Sequence, residues 1–141
     1  MSYCTVDDLP VSLAQAREFV TDTGSESDSE KDARIAAVIA RAETEVNAYA
    51  GVQYTIPLDP VPEVIRDVTA RIAAYRLGMR KQRGEVFRAD YDDAVRFLKD
   101  VASGKATLGP EAGGDPEPPR EDGGSVQVND RVFTREKMKG F

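Results

Sequence analysis

A chain of 141 residues carries 25 acidic and 19 basic side chains, one cysteine and no histidine, for a formal charge of −6. That length suits one domain with a modest core, and 40% hydrophobic with 31% charged residues is ordinary for a globular protein. The missing histidine excludes Ser-His-Asp and Cys-His catalysis and His-containing zinc sites.

No glycine motif for cradling phosphate occurs. The lone Cys4 supports neither a disulfide framework nor, without an electropositive partner, a reactive thiol. Met1–Pro10 lacks the basic and apolar regions of a secretory signal, and no apolar run nears the roughly 18 residues of a membrane span. The expectation is a protein assembled in the reducing cytoplasm, away from membranes.

In chain order, Thr5 is an N-cap candidate with Asp7 and Asp8 in the first turn, where acids suit the helix dipole. Pro10 interrupts that turn. Ser12 caps a second short piece to about Thr21, with Leu13, Ala16, Phe19 and Val20 on one face. The polar stretch 22–30 reads as a solvated loop leading into an N-cap. Its acids lack the D-x-[DN]-x-[DN]-G spacing of a calcium loop.

A long helix then starts at Asp28 or Ser29 and runs to about Tyr49. Ile35, Val38, Ile39, Ala42, Val46 and Tyr49 recur at spacings of three and four. Ala33, Ala36, Ala37, Ala40 and Ala48 add small residues suited to close helix approach. After Gly51 the chain crosses through Pro57, Pro60 and Pro62, which fix φ and hold each preceding residue extended. The crossing is expected to set two helices at a rigid angle.

The next helix, Val61–Leu77, repeats the stripe with Val64, Ile65, Val68, Ile72, Tyr75 and Leu77. Arg66, Arg71, Arg76, Arg80, Lys81 and Arg83 fall mostly off it. Arginines on one helix are able to track a phosphate backbone, but Glu63 and Asp67 interleave. These residues read better as subunit-interface or exposed-face charge. Gly84 breaks the chain before a last helix, Glu85–Ser103, with Val86, Phe87, Tyr91, Ala94, Val95, Leu98 and Val101 inward and Gly104 at C′. The fold class expected is all-α: a small antiparallel bundle of a short N-terminal helical region and three longer helices.

Charge is unevenly spread. Residues 1–60 hold eleven acids against four bases, and residues 61–103 hold nine bases against seven acids. The two regions are candidates for complementary faces of a head-to-tail contact between identical subunits, or else simply solvated helix faces. The domain is expected to span 1–108. Gly/Pro-rich residues 109–125 read as a linker, and 126–141 as an extended C-terminal tail in which Val126–Phe133 alternates apolar and polar around a turn at Asn129-Asp130.

Several stretches resemble the Mu-like phage and prophage head–tail connector family. They are Tyr3-Cys-Thr-Val-Asp-Asp-Leu9, Tyr49-Ala-Gly-Val-Gln-Tyr-Thr-Ile-Pro-Leu-Asp-Pro-Val-Pro62, Ile72-Ala-Ala-Tyr-Arg-Leu77 and Arg131-Val-Phe-Thr-Arg-Glu-Lys-Met-Lys-Gly-Phe141. The proline crossing is the most specific of them. The chain departs from that pattern at Pro10, where relatives often run a longer apolar helix. It departs again in its serine-rich loop, where relatives often carry Asp-Gly-Asp.

The resemblance implies a structural adaptor with no catalytic residue, metal or cofactor. It implies a ring, typically of twelve subunits, in the virion neck beneath the portal protein, meeting tail-terminator or neck proteins and extending a channel that DNA passes without sequence recognition. In that setting Arg66, Arg71, Arg76, Arg80, Lys81 and Arg83 supply subunit-interface or channel-face charge. Pro57, Pro60 and Pro62 supply the rigid crossing. In the tail, Val132, Phe133 and Phe141 are apolar anchors and Arg131, Arg135, Lys137 and Lys139 charge partners for the portal or a neighbouring subunit. A tail-completion or terminator protein, or an acidic helical regulator binding a host protein, are the competing readings.

Overall fold

A computed structural model of the chain describes residues 2–109. Over that span the fold is all-α, with no strand: α1 (Leu13–Val20), α2 (Asp28–Ala50), α3 (Glu63–Met79) and α4 (Arg88–Ala102). Two 3-10 turns, Val6–Asp8 and Gly84–Phe87, precede α1 and α4. The anticipated linker beyond Gly109 and the tail lie outside the described residues.

Local chemistry sets the helix starts. The Asp8 carboxylate accepts the Thr5 N–H at 2.8 Å while the Asp8 N–H returns to the Thr5 carbonyl at 3.0 Å. Ser12 Oγ accepts the Gln15 N–H at 3.2 Å, capping α1. Ser27 and Glu30 form a reciprocal capping box: Ser27 Oγ accepts from the Glu30 N–H at 3.2 Å and Glu30 Oε2 from the Ser27 N–H at 3.1 Å. At the other end of the domain, Gly104 takes φ +81° after α4, the left-handed residue that closes a helix.

The long helices run up, down and up. Arg80 at the end of α3 reaches Asp22 just before α2, and Gln53 just after α2 donates to the Ala102 carbonyl at the end of α4 at 3.1 Å. α3 is central, packing on α1, α2 and α4. Ile65, Val68, Ile72 and Leu77 are buried, and so are Thr69, Ala70, Ala73, Ala74 and Gly78, so its burial spreads far beyond one stripe. Thr69 donates its hydroxyl to the Ile65 carbonyl at 2.7 Å, which satisfies the buried polar group inside its own helix.

Small residues are packed along α3, and on α2 at Ala42 and Ala50. The small residues of α2 expected to provide close helix approach, Ala33, Ala36, Ala37, Ala40 and Ala48, are all exposed. Three residues expected on apolar faces are also exposed: Leu13, Val64 and Val86. Val86 sits in the 3-10 turn, because α4 begins only at Arg88 and the helical phase expected from Glu85 onward does not apply there. Val64 lies in the first turn of α3, and Leu13 opens α1 beside a groove described below.

Candidate interaction surfaces

The proline crossing is fastened by side chains from elsewhere in the domain. Tyr3, buried to 3% exposure, donates its hydroxyl to Asn47 Oδ1 at 2.5 Å and accepts the Leu58 N–H at 2.9 Å. Leu58, 2% exposed, is the crossing's inward anchor. A second buried tyrosine, Tyr54, accepts the Leu108 N–H at 3.0 Å. The Ile56–Pro57 and Asp59–Pro60 peptides are cis, Pro57 and Pro60 face solvent, and Pro62 caps α3 from a buried position. Nothing local in the sequence singles out Tyr3, Asn47 or Tyr54 as partners of this segment.

The basic residues of α3 and the turn after it divide into two groups. Arg76 reaches across to Glu45 on α2 at 2.6 Å, and Tyr91 of α4 donates to the same carboxylate at 3.0 Å. Tyr91 stacks on Tyr75 with ring centroids 4.2 Å apart. Burial, then the Glu45 carboxylate, pushes the Tyr91 phenol above its ordinary range. Arg80 pairs with Asp22 at 3.2 Å, and Lys81 donates to the Thr21 carbonyl at 2.5 Å. These contacts join the basic middle of the chain to its acidic front within one subunit. Arg71 pairs only with Asp67 of its own helix, while Arg66 and Arg83 are exposed and make no salt bridge among the described residues.

A cleft of about 320 Å³ opens beside the Glu45 cluster, walled by Val38, Met79, Tyr75 and Tyr91 and edged by Arg41, Arg76 and Arg80. Arg76 Nε is buried there without a protein partner. Exposed apolar side chains mark both ends of the bundle: Val52 and Ile56 near the crossing, Met79 and Val86 at the opposite end.

On the other side of α2 lies a groove of about 350 Å³ between the N-terminal segment and the helix. Val6, Leu13, Ile35 and Ile39 wall it, Ala36 contributes from α2, and Cys4 and Asp32 also line it. Glu43 pins the segment by accepting from Ser2 Oγ at 2.5 Å and the Tyr3 N–H at 2.6 Å. Arg17 grips Asp32 in a two-bond fork of 2.8 and 2.9 Å, which holds that carboxyl below its usual range. Cys4 is 3% exposed, and burial, with the nearby charges of Asp8 and Glu43, pushes its thiol up to about 12. A thiolate is thus scarce at neutral pH.

The acidic loop before α2 uses its acids internally. Glu26 accepts the backbone N–H groups of Asp22, Thr23 and Gly24, each at 3.0 Å, and Arg34 at 3.1 Å. Those bonds hold its carboxyl well below the usual range. Among the described residues, no group of His, Cys, Asp and Glu side chains is arranged to hold a metal ion, and no helix is long and apolar enough to cross a membrane. The expected tail anchors Arg131, Val132, Phe133, Arg135, Lys137, Lys139 and Phe141 lie outside the described residues.

Residues 3–128 match the family described as Bacteriophage Mu, Gp36. The chain is 31% identical over 142 residues to gene product J of Escherichia phage Mu, covering 100% of this chain and 99% of that protein. It is 32% identical over 116 residues to the Mu-like prophage FluMu protein gp36 of Haemophilus influenzae, covering 82% of this chain and 81% of the relative. The basic stretch after residue 128 falls outside the family match but inside the alignment with gene product J. This chain therefore belongs to the bacteriophage Mu Gp36 family of Mu-like phage and prophage proteins.

Proposed function

We propose that the protein is a structural component of a Mu-like phage particle, acting as the head–tail adaptor that forms a ring under the portal and carries the tail. The observation that carries this reading is the end-to-end likeness to a phage Mu gene product. A small helical domain with a pinned crossing and exposed apolar residues at both ends suits a subunit that must be gripped from two sides. Arg66 and Arg83, exposed and without a salt bridge among the described residues, are the α3-region charges best placed to meet a neighbouring subunit or the DNA channel. The tail residues Arg131, Val132, Phe133, Arg135, Lys137, Lys139 and Phe141 serve in this reading as the contact to portal or neighbour. Twelve copies in the ring and a position in the neck belong to the same proposal.

A host-binding acidic regulator fits less well. Mimicry of nucleic acid wants an unbroken acidic face, and here Arg17, Arg34, Arg80 and Lys81 are threaded among the acids of the front. Electron cryo-microscopy of virions from cells induced for the prophage is the test. Ring density between portal and tail, fitted by the α1–α4 domain, is the expected result. Absence of the protein from virions overturns the reading, and density at the end of the tail tube makes it a tail terminator instead.

A further inference from the structure

We propose that the groove between the N-terminal segment and α2 is a docking site for this chain's own C-terminal segment, residues 126–141, in the free subunit. The inference stands independently of the adaptor reading.

The groove is shaped for an apolar anchor. Val6, Leu13, Ile35 and Ile39 give it aliphatic walls beside the polar Ser2, Thr5 and Asp32, and Leu13, at 39% exposure, extends them outward. Ala36 continues on α2 into the exposed Ala33, Ala37 and Ala40, so no long side chain on that neighbouring surface blocks an incoming chain. A volume of about 350 Å³ is at the small end of binding pockets. It fits one aromatic side chain with an aliphatic neighbour, and not a whole helix. Val132-Phe133 in the tail offers that pair.

Charge complementarity favours the same occupant. Asp32 lines the groove, and the charges of Asp8 and Glu43 lie close to Cys4 within it. Residues 126–141 hold four bases, Arg131, Arg135, Lys137 and Lys139, against Asp130 and Glu136. Arg131 and Arg135 flank Val132-Phe133, so a seated anchor brings positive charge to an acidic rim.

Reach selects the chain's own tail over another copy's. Leu108 is fastened to Tyr54, and the Tyr54 N–H bonds to the Ala50 carbonyl, so the chain leaves the domain at the C-terminal end of α2. Ala36 and Ile39 lie 14 and 11 residues back along that helix, roughly 16–21 Å at 1.5 Å per residue. Twenty-two residues, 110–131, separate the domain from Val132. A random chain of that length has a root-mean-square span of about 23–28 Å. Span and distance are comparable, the condition under which effective concentration approaches its millimolar peak. A second copy at micromolar concentration competes poorly.

The test uses the full chain, ¹⁵N-labelled, with a nitroxide attached through Ser125→Cys. Cys4 stays unlabelled because it is buried with a thiol pushed up to about 12. Amide signals of Val6, Leu13, Ala36 and Ile39 should broaden at least several-fold more than those of α4. In a dilute mixture of ¹⁵N chains lacking the nitroxide with unenriched chains carrying it, the same signals should stay sharp. No selective broadening overturns the proposal, and broadening in the mixture to the same extent overturns it in favour of a second copy. Two further variants in the spin-labelled chain, Ala36→Arg at an exposed position and Phe133→Ser, should each abolish the broadening at Val6 and Ile39. Its persistence in both, with helicity by circular dichroism unchanged, also overturns the proposal.

Discussion

Replacing Tyr3 by phenylalanine removes one oxygen and tests how the crossing is held. That hydroxyl accepts the buried Leu58 N–H at 2.9 Å and donates to Asn47 Oδ1 at 2.5 Å. In Tyr3→Phe the ring still fills its place, so the lost transfer free energy is small. The cost comes from a buried backbone donor with no partner, about 1–3 kcal/mol. For a domain near 100 residues that lowers Tm by about 5–15 °C. Hydrogen exchange reads the effect at its source: if the bond closes the crossing locally, the Leu58 amide should exchange about 5- to 150-fold faster, one decade per 1.4 kcal/mol. The control is Tyr49→Phe, a half-buried tyrosine whose hydroxyl makes no protein hydrogen bond among the described residues; it should change stability by under about 0.5 kcal/mol. If both variants melt together, or Leu58 exchange is unchanged in Tyr3→Phe, the clasp does not hold the crossing and the reasoning fails.

Four further outcomes are expected. Gly78→Ala should destabilise by about 1 kcal/mol in urea denaturation despite the helix-propensity gain of about 1. The new Cβ meets the buried Phe87 ring at 2.9 Å and the Arg83 carbonyl at 3.1 Å, and such overpacking costs roughly 1–3 kcal/mol. Gly84→Ala meets mainly Met79, 54% exposed and able to swing away, and should fall within about 0.5 kcal/mol of the parent. The Glu26 carboxyl is depressed in the folded state, so its contribution is present above the ordinary value of 4.5 and is lost as pH falls below it. Stability of the parent minus that of Glu26→Gln should accordingly be flat from pH 7 to about 5.5 and shrink towards pH 3; a constant difference contradicts the assignment. A double-mutant cycle on Arg76 and Glu45, joined across α2 and α3 with Glu45 mostly buried, should give about 0.5–1 kcal/mol of coupling. The exposed Arg96–Asp93 pair should give under about 0.3 kcal/mol.

What the sequence revealed was whatever is local. Ser12, Gly51 and Gly104 mark helix ends because each acts within a few residues of itself, and the start of α2 at Asp28 was legible for the same reason. Periodicity identified the inward stripe of α2 correctly through Val46, since a stripe belongs to one helix. It could not say which helix lies at the centre. The alanines of α2 and those of α3 look alike in sequence, yet α3 buries Ala70, Ala73 and Ala74 while α2 buries Ala42 and Ala50 and leaves Ala33, Ala36, Ala37, Ala40 and Ala48 exposed. Val86 fooled the pattern because a 3-10 turn changes the angular phase before α4 begins. The tyrosine clasps were invisible for the plainest reason: their partners lie 55 and 54 residues away. The same limit applied to the arginines, whose spacing showed them off the stripe but not that Arg76, Arg80 and Lys81 are engaged by α2 and the loop before it.

Tyr3 and Leu108, nearly the first and last described residues, are tied to the same short crossing, one through Leu58 and the other through Tyr54. A pull applied at either end of the domain is therefore shared between that crossing and the helices that hold the same ends, α2 through Glu43 and Asn47 and α4 through Asp100. Strain entering through residue 109 would act on Tyr54 and strain entering through residue 2 on Tyr3, so the two loads converge where α2 hands the chain to α3. Both ends of the domain thus share one clasp, and a load on either is felt where the two long helices meet.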